Sequence, residues 1–183
     1  GLVGKKSLSL EVFADDFDSM ISQAKLISNW GKNISVKIPV MTSTGEFTGP
    51  VISELCEEGI SINVTAIMTS DQLIKVIKSS PGDSHMICSV FAGRIADTGI
   101  DPCICMRECR RIVEKRKNTE LLWASTREIF NIFQAEKNDC HIITVGYDLL
   151  KKLDLLGKDL LDYSRETVST FYLDARSSGL HIS

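Results

Sequence analysis

Histidine, proline and tryptophan are scarce in this sequence of 183 residues, which contains three, four and two of them. Neither sign of charge dominates, because 21 basic and 24 acidic residues give a formal net charge of −3 at pH 7. Proteins that bind nucleic acid usually carry a basic surface, so we expect no nucleic-acid partner. Histidines and carboxylates do not cluster, which argues against a metal site. The two tryptophans, Trp30 and Trp123, are interpreted as packing residues.

Long apolar runs are also absent. No stretch approaches the roughly 18–20 apolar residues that a membrane-spanning helix needs. Residues 1–6 lack the apolar core of a signal peptide. Charged residues make up 25% of the chain and hydrophobic residues 43%, a balance typical of globular proteins. We therefore expect a cytoplasmic protein without a membrane partner, folded as a single domain over residues 1–183.

The six cysteines do not follow the spacing of a small secreted disulfide framework. Cys103, Cys105 and Cys109 form a local C-x-C-x3-C cluster, and the last two share one face of a predicted helix. No nearby histidine or fourth thiol completes a soft-metal site. We predict reduced thiols and no bound metal.

Strand and helix patterns alternate from one end of the chain to the other. Strands are predicted at 7–13, 34–40, 61–67, 85–91, 121–125 and 140–145. Helices are predicted at 16–30, 50–58, 70–80, 105–117, 127–136, 147–152 and 158–177. Residues 92–102 are predicted to form a loop. Ser70 is the predicted N-cap of the third helix, with Leu73 leaving its capping box incomplete.

Strict alternation of strands and helices predicts a parallel sheet with helices outside it. Two architectures compete, an open doubly wound sheet and a closed (β/α)8 barrel. The chain supplies six βα units, whereas a complete barrel needs eight. The sequence therefore predicts an α/β fold and, if the fold is a barrel, a partial one.

The second predicted strand carries a lysine, Lys37, among apolar residues. Lysine is depleted in strands and is seldom buried without a partner. An ammonium held among apolar groups is destabilised, so a neutral amine becomes available as a nucleophile. The alternative is a strand lysine whose ammonium group reaches solvent.

Polar residues recur on one parity of the first five predicted strands, although strands covered on both faces usually read as continuous apolar runs. Side chains alternate between faces, so this parity should converge on one side of the sheet. These polar residues are Glu11, Lys37, Asn63, Thr65, Ser89, Ser125 and Arg127. An acid, a lysine, an amide and a hydroxyl on consecutive strands suit proton transfer and carbonyl chemistry.

Two arginines, Arg94 and Arg127, follow predicted strands, with Ser125 beside the second. Guanidinium groups and a hydroxyl suit a phosphate dianion, because the planar fork of arginine binds such oxygens in pairs. The residues alone leave two hypotheses open, an aldolase-like enzyme and a generic phosphosugar-binding domain.

At these residues the sequence resembles the transaldolase family, in particular its smaller bacterial-type members. Six blocks carry the resemblance, in matching order and spacing over essentially the whole chain. They are residues 9–12 (SLEV), 36–40 (VKIPV), 63–66 (NVTA), 89–95 (SVFAGRI), 124–127 (ASTR) and 140–145 (CHIITV).

The resemblance implies a TIM (β/α)8 barrel of the class I aldolase type, present here as about six βα units, β3 to β8, plus a C-terminal helix. It implies a transaldolase of the pentose phosphate pathway, a route of carbohydrate metabolism. Such an enzyme transfers a dihydroxyacetone unit from sedoheptulose 7-phosphate or fructose 6-phosphate to an aldose phosphate. The expected partners are sugar phosphates and further copies of the chain in a homo-oligomer. Neither a metal nor a cofactor is expected.

The resemblance also implies roles for individual residues. Lys37 resembles the lysine that forms a Schiff base with the C2 ketone of the donor. Glu11 and Thr65 resemble the pair that orders a catalytic water. Asn63 and Ser89 resemble the groups that bind the three-carbon unit.

The phosphate site of the family matches Arg94, Ser125 and Arg127, and Phe91 matches a residue that lines the pocket. Related fructose 6-phosphate aldolases tend to carry Gln where Glu11 stands and Tyr where Phe91 stands. Glu11 and Phe91 therefore favour group transfer, with a fructose 6-phosphate aldolase-like enzyme as the alternative.

The chain departs from the family pattern at its beginning. Family members normally start with a strand bearing an Asp, then a helix, a strand with a Thr-Asn-Pro motif and a second helix. The sequence starts at the third strand, so we expect a fragment or a truncated transaldolase, or one completed by a partner chain. The absent Asp would act on the C4 hydroxyl, which leaves a catalytically impaired phosphosugar-binding fragment as a further hypothesis. We expect this form to be poorly stable or to aggregate.

Overall fold

The computed structural model describes Gly4 and residues 6–180. The chain divides into two units, Gly1–Gly146 and Tyr147–Ser183, and each is compact over its described residues. The first unit contains one six-stranded parallel sheet whose strands neighbour one another in chain order. The strands are β1 (Leu8–Glu11), β2 (Ile34–Pro39), β3 (Ile62–Ile67), β4 (Met86–Val90), β5 (Thr119–Trp123) and β6 (Ile142–Ile143).

Helices connect the successive strands of the first unit. They are α1 (Phe17–Ser28), α2 (Gly49–Glu57), α3 (Ser70–Lys78), α4 (Ala92–Asp97), α5 (Pro102–Val113) and α6 (Phe130–Lys137). The second unit contains α7 (Tyr147–Leu150), a 3-10 helix (Lys151–Leu155) and α8 (Leu160–Ser177). The interpretation of residues 1–183 as a single domain stays a prediction.

Alternation along the strands separates an apolar face from a polar one. Val36, Ile38 and Val64 are fully buried in the core that also contains Met20 of α1 and Leu55 of α2. Side chains of the opposite parity form the other face of the sheet. The predicted parallel α/β fold is confirmed. A doubly wound sheet reverses its strand order at a switch point. The order β1 to β6 is instead that of six successive units of a (β/α)8 barrel.

Two local predictions were wrong. The N-cap of α3 is Thr69, whose side chain accepts a hydrogen bond from the Gln72 amide, while the Gln72 side-chain oxygen accepts one from the Thr69 amide. A complete capping box therefore begins one residue earlier than predicted. Residues predicted as loop contain α4, a six-residue helix that is too short to show an apolar period.

One of the two tryptophans also differs from the prediction. Trp123 is fully buried, as expected of a packing residue, but Trp30 is 63% exposed. Trp30 follows α1, and its chain neighbours Gly31 and Lys32 lead directly to β2. An aromatic residue in such a connection has no second layer to pack against.

Unusual backbone occurs near the end of β3 and in the loop that follows β5. Ala66 has a φ of 61°, and the pairing of β3 with β4 shifts register between Val64 and Ile67. Ser125 also has a φ of 61°. Gly93 packs so closely against this residue that an added Cβ would lie 1.5 Å from the Ser125 carbonyl oxygen. Only glycine permits this approach of two backbones.

In the second unit, the amphipathic stretch predicted at the end of the chain forms α8. Asp159 caps this helix by accepting hydrogen bonds from the amides of Leu161 and Asp162. Every residue of α8 is exposed. None of the helices in the described part of the chain combines the length and hydropathy needed to cross a membrane.

Candidate active site

Lys37 lies in β2 on the polar face of the sheet, and its side chain is 29% exposed. The parallel register places it between Glu11 of β1 and Asn63 of β3. Residues in register on neighbouring parallel strands lie side by side, so three different polar groups form one row across the sheet. The predicted convergence of these residues is confirmed for this row.

Glu11 is the ion-pair partner of Lys37. The Lys37 Nζ lies 3.3 Å from the Glu11 Oε2, and the carboxylate is more exposed than the lysine. At this distance the carboxylate can accept a proton from the lysine. The pair therefore provides a nucleophile with an adjacent proton acceptor.

The side-chain amide of Asn63 is bonded at both ends. Ser89 Oγ donates to Asn63 Oδ1 at 2.7 Å, and Asn63 Nδ2 donates to Ser9 Oγ at 3.0 Å. Asn63 and Ser89 are each 3% exposed. Two fixed partners in a buried site hold the amide plane in one orientation beside Lys37.

Thr65 is also buried, near the end of β3. Its Oγ1 has no hydrogen-bond partner among the described residues. Buried hydroxyls are nearly always bonded to protein or to water, so this atom has capacity for a group that enters the site. Thr65 lies beyond Asn63 on the same face.

A cavity of about 350 Å³ opens above this row of residues. It is large enough for a small ligand. Its lining consists of Ser9, Lys37, Asn63, Thr65, Ser89, Phe91, Leu122, Ala124, Ser125 and Thr144. Five of the predicted site residues other than Lys37 therefore share the cavity with it. Glu11 reaches the site through Lys37, whereas Arg94 and Arg127 do not line the cavity.

The two arginines, Arg94 of α4 and Arg127 of the loop after β5, are held by other groups. Arg127 Nε donates to both carboxylate oxygens of Asp97, at 3.0 and 3.1 Å, and Arg127 Nη2 lies 2.5 Å from Oδ2. The guanidinium of Arg94 stacks on Phe91, with its central carbon 5.0 Å from the ring centre. Hydrogen bonds from Arg127 lower the pKa of Asp97, and the positive charge of Arg94 lowers it further. Both cations therefore act on the same carboxylate.

Metal ligands do not gather at this site. In Gly4 and residues 6–180, no three side chains of His, Cys, Asp or Glu come together in a way that could hold a metal ion. All six cysteines are free thiols, and none lines the cavity. Burial raises the pKa of Cys88 to about 12, so this thiol stays protonated near neutral pH.

Sequence reasoning missed three residues of the site. Ser9 bonds Asn63 directly, and its parity with Glu11 on the first strand was the available signal. Thr144 lines the cavity after the last strand. Asp97 contacts Arg127, and nothing in the sequence signals this contact between residues 30 positions apart.

The fold and the site together define a class of protein. It is a partial (β/α)8 barrel with a lysine, a carboxylate and an amide in one row across its strands. A family model described as "Transaldolase/Fructose-6-phosphate aldolase" matches residues 2–179. The chain belongs to the transaldolase/fructose-6-phosphate aldolase family, and the resemblance noted from its sequence is confirmed.

Individual relatives agree with this assignment. A "Probable transaldolase" of Thermoanaerobacter sp. (strain X514) is 32% identical over 176 residues, covering 96% of this chain and 76% of the relative. A "Probable transaldolase 2" of Listeria monocytogenes is 32% identical over 147 residues, and a "Probable transaldolase" of Nitrosopumilus maritimus is 31% identical over 151. The chain spans 64% of the length of each of these last two relatives.

Proposed function

We propose that this chain carries the Schiff-base centre of a transaldolase, which moves a dihydroxyacetone unit between sugar phosphates. The observation that carries the proposal is the row Glu11, Lys37 and Asn63 across the sheet. Lys37 and Asn63 line one cavity together with Thr65 and Ser89. A lysine with a proton acceptor 3.3 Å away and a fixed amide beside it is suited to attack a ketone. Family membership supports the same chemistry.

The first step begins with transfer of a proton from the Lys37 ammonium to Glu11. The neutral amine then attacks C2 of a ketose phosphate, and the ketone oxygen takes up a proton to give a carbinolamine. Loss of this hydroxyl as water leaves an imine between Lys37 and C2. Cleavage of the C3–C4 bond needs a base that takes the proton of the C4 hydroxyl, the role that the first-strand Asp would have in the family. It releases an aldose phosphate and leaves the three-carbon unit on Lys37 as an enamine. Addition of the enamine to another aldose phosphate reverses these steps.

Glu11 and Thr65 supply the proton transfers in this scheme. The Thr65 hydroxyl is buried without a partner in the described part of the chain, and a water bridging it to Glu11 would satisfy it. Such a water can deliver the proton that converts the carbinolamine hydroxyl into a leaving group. Asn63, held by Ser9 and Ser89, would bind the hydroxyl groups of the three-carbon unit.

The phosphate of the substrate would bind between Arg94, Ser125 and Arg127. Ser125 lines the cavity, and both guanidinium groups act on Asp97 at the end of α4. Two cations and a hydroxyl match the charge and geometry of a phosphate dianion. The proposed substrates are therefore ketose and aldose phosphates of the pentose phosphate type.

A fructose 6-phosphate aldolase is the second candidate function, because the family model covers both activities. Glu11 and Phe91 favour the transferase. Unlike the Tyr that related aldolases tend to carry at this position, Phe91 has no hydroxyl that could hydrogen-bond a water beside the enamine. An assay with and without an aldose phosphate acceptor distinguishes the two candidates, since only a transferase depends on the acceptor for turnover.

Borohydride trapping with fructose 6-phosphate tests the proposal directly. Reduction of the imine fixes the sugar to the lysine, and peptide mass mapping then locates it. We expect the adduct on Lys37 and its complete loss in Lys37→Arg, because a guanidinium does not form an imine. Lys25→Arg is the matched control, since Lys25 is a surface lysine paired with Glu54 and Glu58.

The mass of the adduct separates the remaining hypotheses. A three-carbon adduct on Lys37 means that imine formation and C3–C4 cleavage both occur. A whole-sugar adduct means that the imine forms without cleavage, as expected if the acid/base Asp of the family is required. Absence of any adduct on Lys37 would overturn the Schiff-base proposal and favour a phosphosugar-binding domain.

A further inference from the structure

A second group of reactive side chains lies at the amino ends of the strands. Ser61 directly precedes β3, His85 directly precedes β4, and Glu120 is the second residue of β5. The pairs Ile62 with Met86 and Ile87 with Glu120 set the register of these three strands. The parallel sheet therefore brings a hydroxyl, an imidazole and a carboxylate into line.

Hydrogen bonds connect the three side chains. Ser61 Oγ lies 2.9 Å from His85 Nδ1, and His85 Nε2 lies 2.7 Å from Glu120 Oε2. An ionised carboxylate only accepts hydrogen bonds, so the Nε2 of a neutral imidazole carries the proton. His85 Nδ1 is then the acceptor for the hydroxyl proton of Ser61.

A second hydroxyl fixes this direction. Ser35 Oγ lies 2.8 Å from Ser61 Oγ and is almost completely buried. The hydrogen bonds form a relay from Ser35 through Ser61 and His85 to Glu120. When Ser61 donates to His85, Ser35 can donate to Ser61, so both hydroxyls and both imidazole nitrogens have partners. A serine that donates to a histidine, which in turn is oriented by a carboxylate, has the arrangement of an activated nucleophile.

The relay is open to small molecules. The side chains of His85 and Glu120 are 40% and 38% exposed. A cleft of about 470 Å³ is lined by Ser35, Ser61 and His85 together with Lys32. Lys32 is the cationic side chain of this cleft and has no ion-pair partner in the described part of the chain. The cleft and the cavity of Lys37 share no lining residue.

We propose that Ser61, His85 and Glu120 form a second reactive site, which accepts small carboxylic esters with a negatively charged group. His85 Nδ1 takes the proton of Ser61 as Oγ bonds to the ester carbonyl carbon. The tetrahedral adduct collapses by breaking its bond to the alcohol oxygen, which leaves with the proton from His85. A water deprotonated by His85 then releases the carboxylic acid and restores Ser61. Glu120 is a positioning residue that holds the imidazole, and Lys32 binds the negative charge of the ester.

We expect slow turnover at this site, because the nearby backbone amides already donate hydrogen bonds within the sheet and are not free to bind an oxyanion. The amide of Ile62 donates to the His85 carbonyl at 3.1 Å, and the amide of Val36 donates to the Ser61 carbonyl at 2.9 Å. Loss of one oxyanion donor lowers the rate of acyl transfer about 10²- to 10³-fold in serine hydrolases. Covalent labelling of Ser61 is therefore a more sensitive readout than product release.

The test is labelling of the full chain with a fluorophosphonate, a reagent that phosphonylates activated serines with loss of fluoride. We expect one adduct, located on Ser61 by peptide mass mapping. His85→Gln removes the base and should slow labelling about 100-fold, within the range for general base catalysis. Ser53 is the internal control, since its hydroxyl bonds Glu57 without a histidine and should stay unlabelled.

Glu120→Gln separates positioning from folding. We expect it to lower the maximal labelling rate and to leave the half-saturating reagent concentration and the thermal unfolding midpoint unchanged.

Competition by 4-nitrophenyl succinate should exceed competition by 4-nitrophenyl acetate, and Lys32→Met should abolish this difference. Equal labelling rates in the wild type and His85→Gln, or an adduct on another residue, would overturn the proposal. So would the absence of an adduct on Ser61. Because the two cavities are separate, that failure leaves the borohydride result at Lys37 unaffected.

Discussion

At the scale of single residues, the side-chain amide of Asn63 forms hydrogen bonds with two serines, Ser9 and Ser89. The contribution of either serine to stability can therefore be measured by substitution. Ser89→Ala would leave the buried Oδ1 of Asn63 without its donor. A buried polar group that loses its partner costs about 1–3 kcal/mol. We expect Ser89→Ala to lower the free energy of unfolding by this amount in urea denaturation.

Ser53→Ala is the control for this prediction, because its hydroxyl contacts Glu57 outside the core. Surface substitutions usually change stability by less than about 0.5 kcal/mol. If Ser89→Ala were as stable as Ser53→Ala, the Ser89–Asn63 bond would not be formed in the folded protein.

Asp97 is the second residue with a defined expectation. Its carboxylate orients Arg127 through three contacts, so Asp97→Asn should leave the guanidinium mobile. We expect the KM for fructose 6-phosphate to rise several-fold, with little change in kcat. The KM for dihydroxyacetone, which has no phosphate, should not change. Asp18→Asn on the surface of α1 controls for the loss of one charge. An equal effect on both substrates would contradict an orienting role.

The pH dependence of this pair follows from the lowered pKa of Asp97. A carboxyl whose pKa is lower in the folded state contributes stability above its ordinary pKa, and this contribution disappears as pH falls through the lowered value. The orientation of Arg127 is therefore constant near neutral pH and is lost only in acid. Asp97→Asn should remove this acid-dependent change in KM.

At the scale of secondary structure elements, the position of the N-cap of α3 can be tested by comparing substitutions at Thr69 and at the next residue, Ser70. Thr69→Ala removes the side-chain acceptor for the Gln72 amide, and loss of such an N-cap costs about 0.5–2 kcal/mol. Ser70→Ala leaves the box intact and should have a much smaller effect. Hydrogen exchange of the first amides of α3, with thermal unfolding, measures both variants. If Ser70→Ala lowered the stability of the protein more than Thr69→Ala, the N-cap would lie at Ser70.

The contact between α4 and the loop after β5 gives a second prediction at this scale. A methyl group at Gly93 would lie 1.5 Å from the Ser125 carbonyl oxygen, so one backbone must move. Because a backbone cannot rotate away as a side chain does, we expect Gly93→Ala to destabilise the fold by about 3 kcal/mol or more. It should also weaken phosphate binding through the displaced Ser125. Gly146→Ala, which meets no atom within 4 Å, is the matched control.

The order of elements was predictable because burial imposes a period of two on every strand. The same parity identified Lys37, Asn63, Thr65 and Ser89 as one site before any contact was visible. Contacts between loops have no such period, which is why the pairing of Asp97 with Arg127 was missed. The short α4 and the cap at Thr69 depend on local hydrogen bonds that several neighbouring residues could have formed.

At the scale of the whole molecule, the ends of the sheet determine the expected behaviour in solution. β1 and β6 are the outer strands of the described sheet. An outer strand offers unpaired backbone groups to another chain. Next to β1, Phe13 is 94% exposed, and it lines an apolar cleft with Leu26 and Trp30. We expect a second copy of the chain to cover this cleft, which is the proposed homo-oligomer.

Sedimentation velocity over a range of concentrations measures this association. The double change Phe13→Ser and Trp30→Ser should shift the chain toward monomer, because it removes two large apolar side chains from the cleft. Ile100→Ser, which also changes an exposed apolar residue but not this cleft, should have no effect. A wild-type chain that stays monomeric at all concentrations and melts cooperatively would contradict the expectation.

The bonds of Asn63 have a consequence for anyone who wishes to change what this cavity accepts. Ser9, Asn63 and Ser89 come from three different strands, yet each depends on the hydrogen-bonding pattern of the next. A library that varies position 63 alone will mostly sample variants in which the hydroxyl of Ser9, of Ser89 or of both has lost its hydrogen-bond partner. Useful diversity at this site requires that codons 9, 63 and 89 be randomised together.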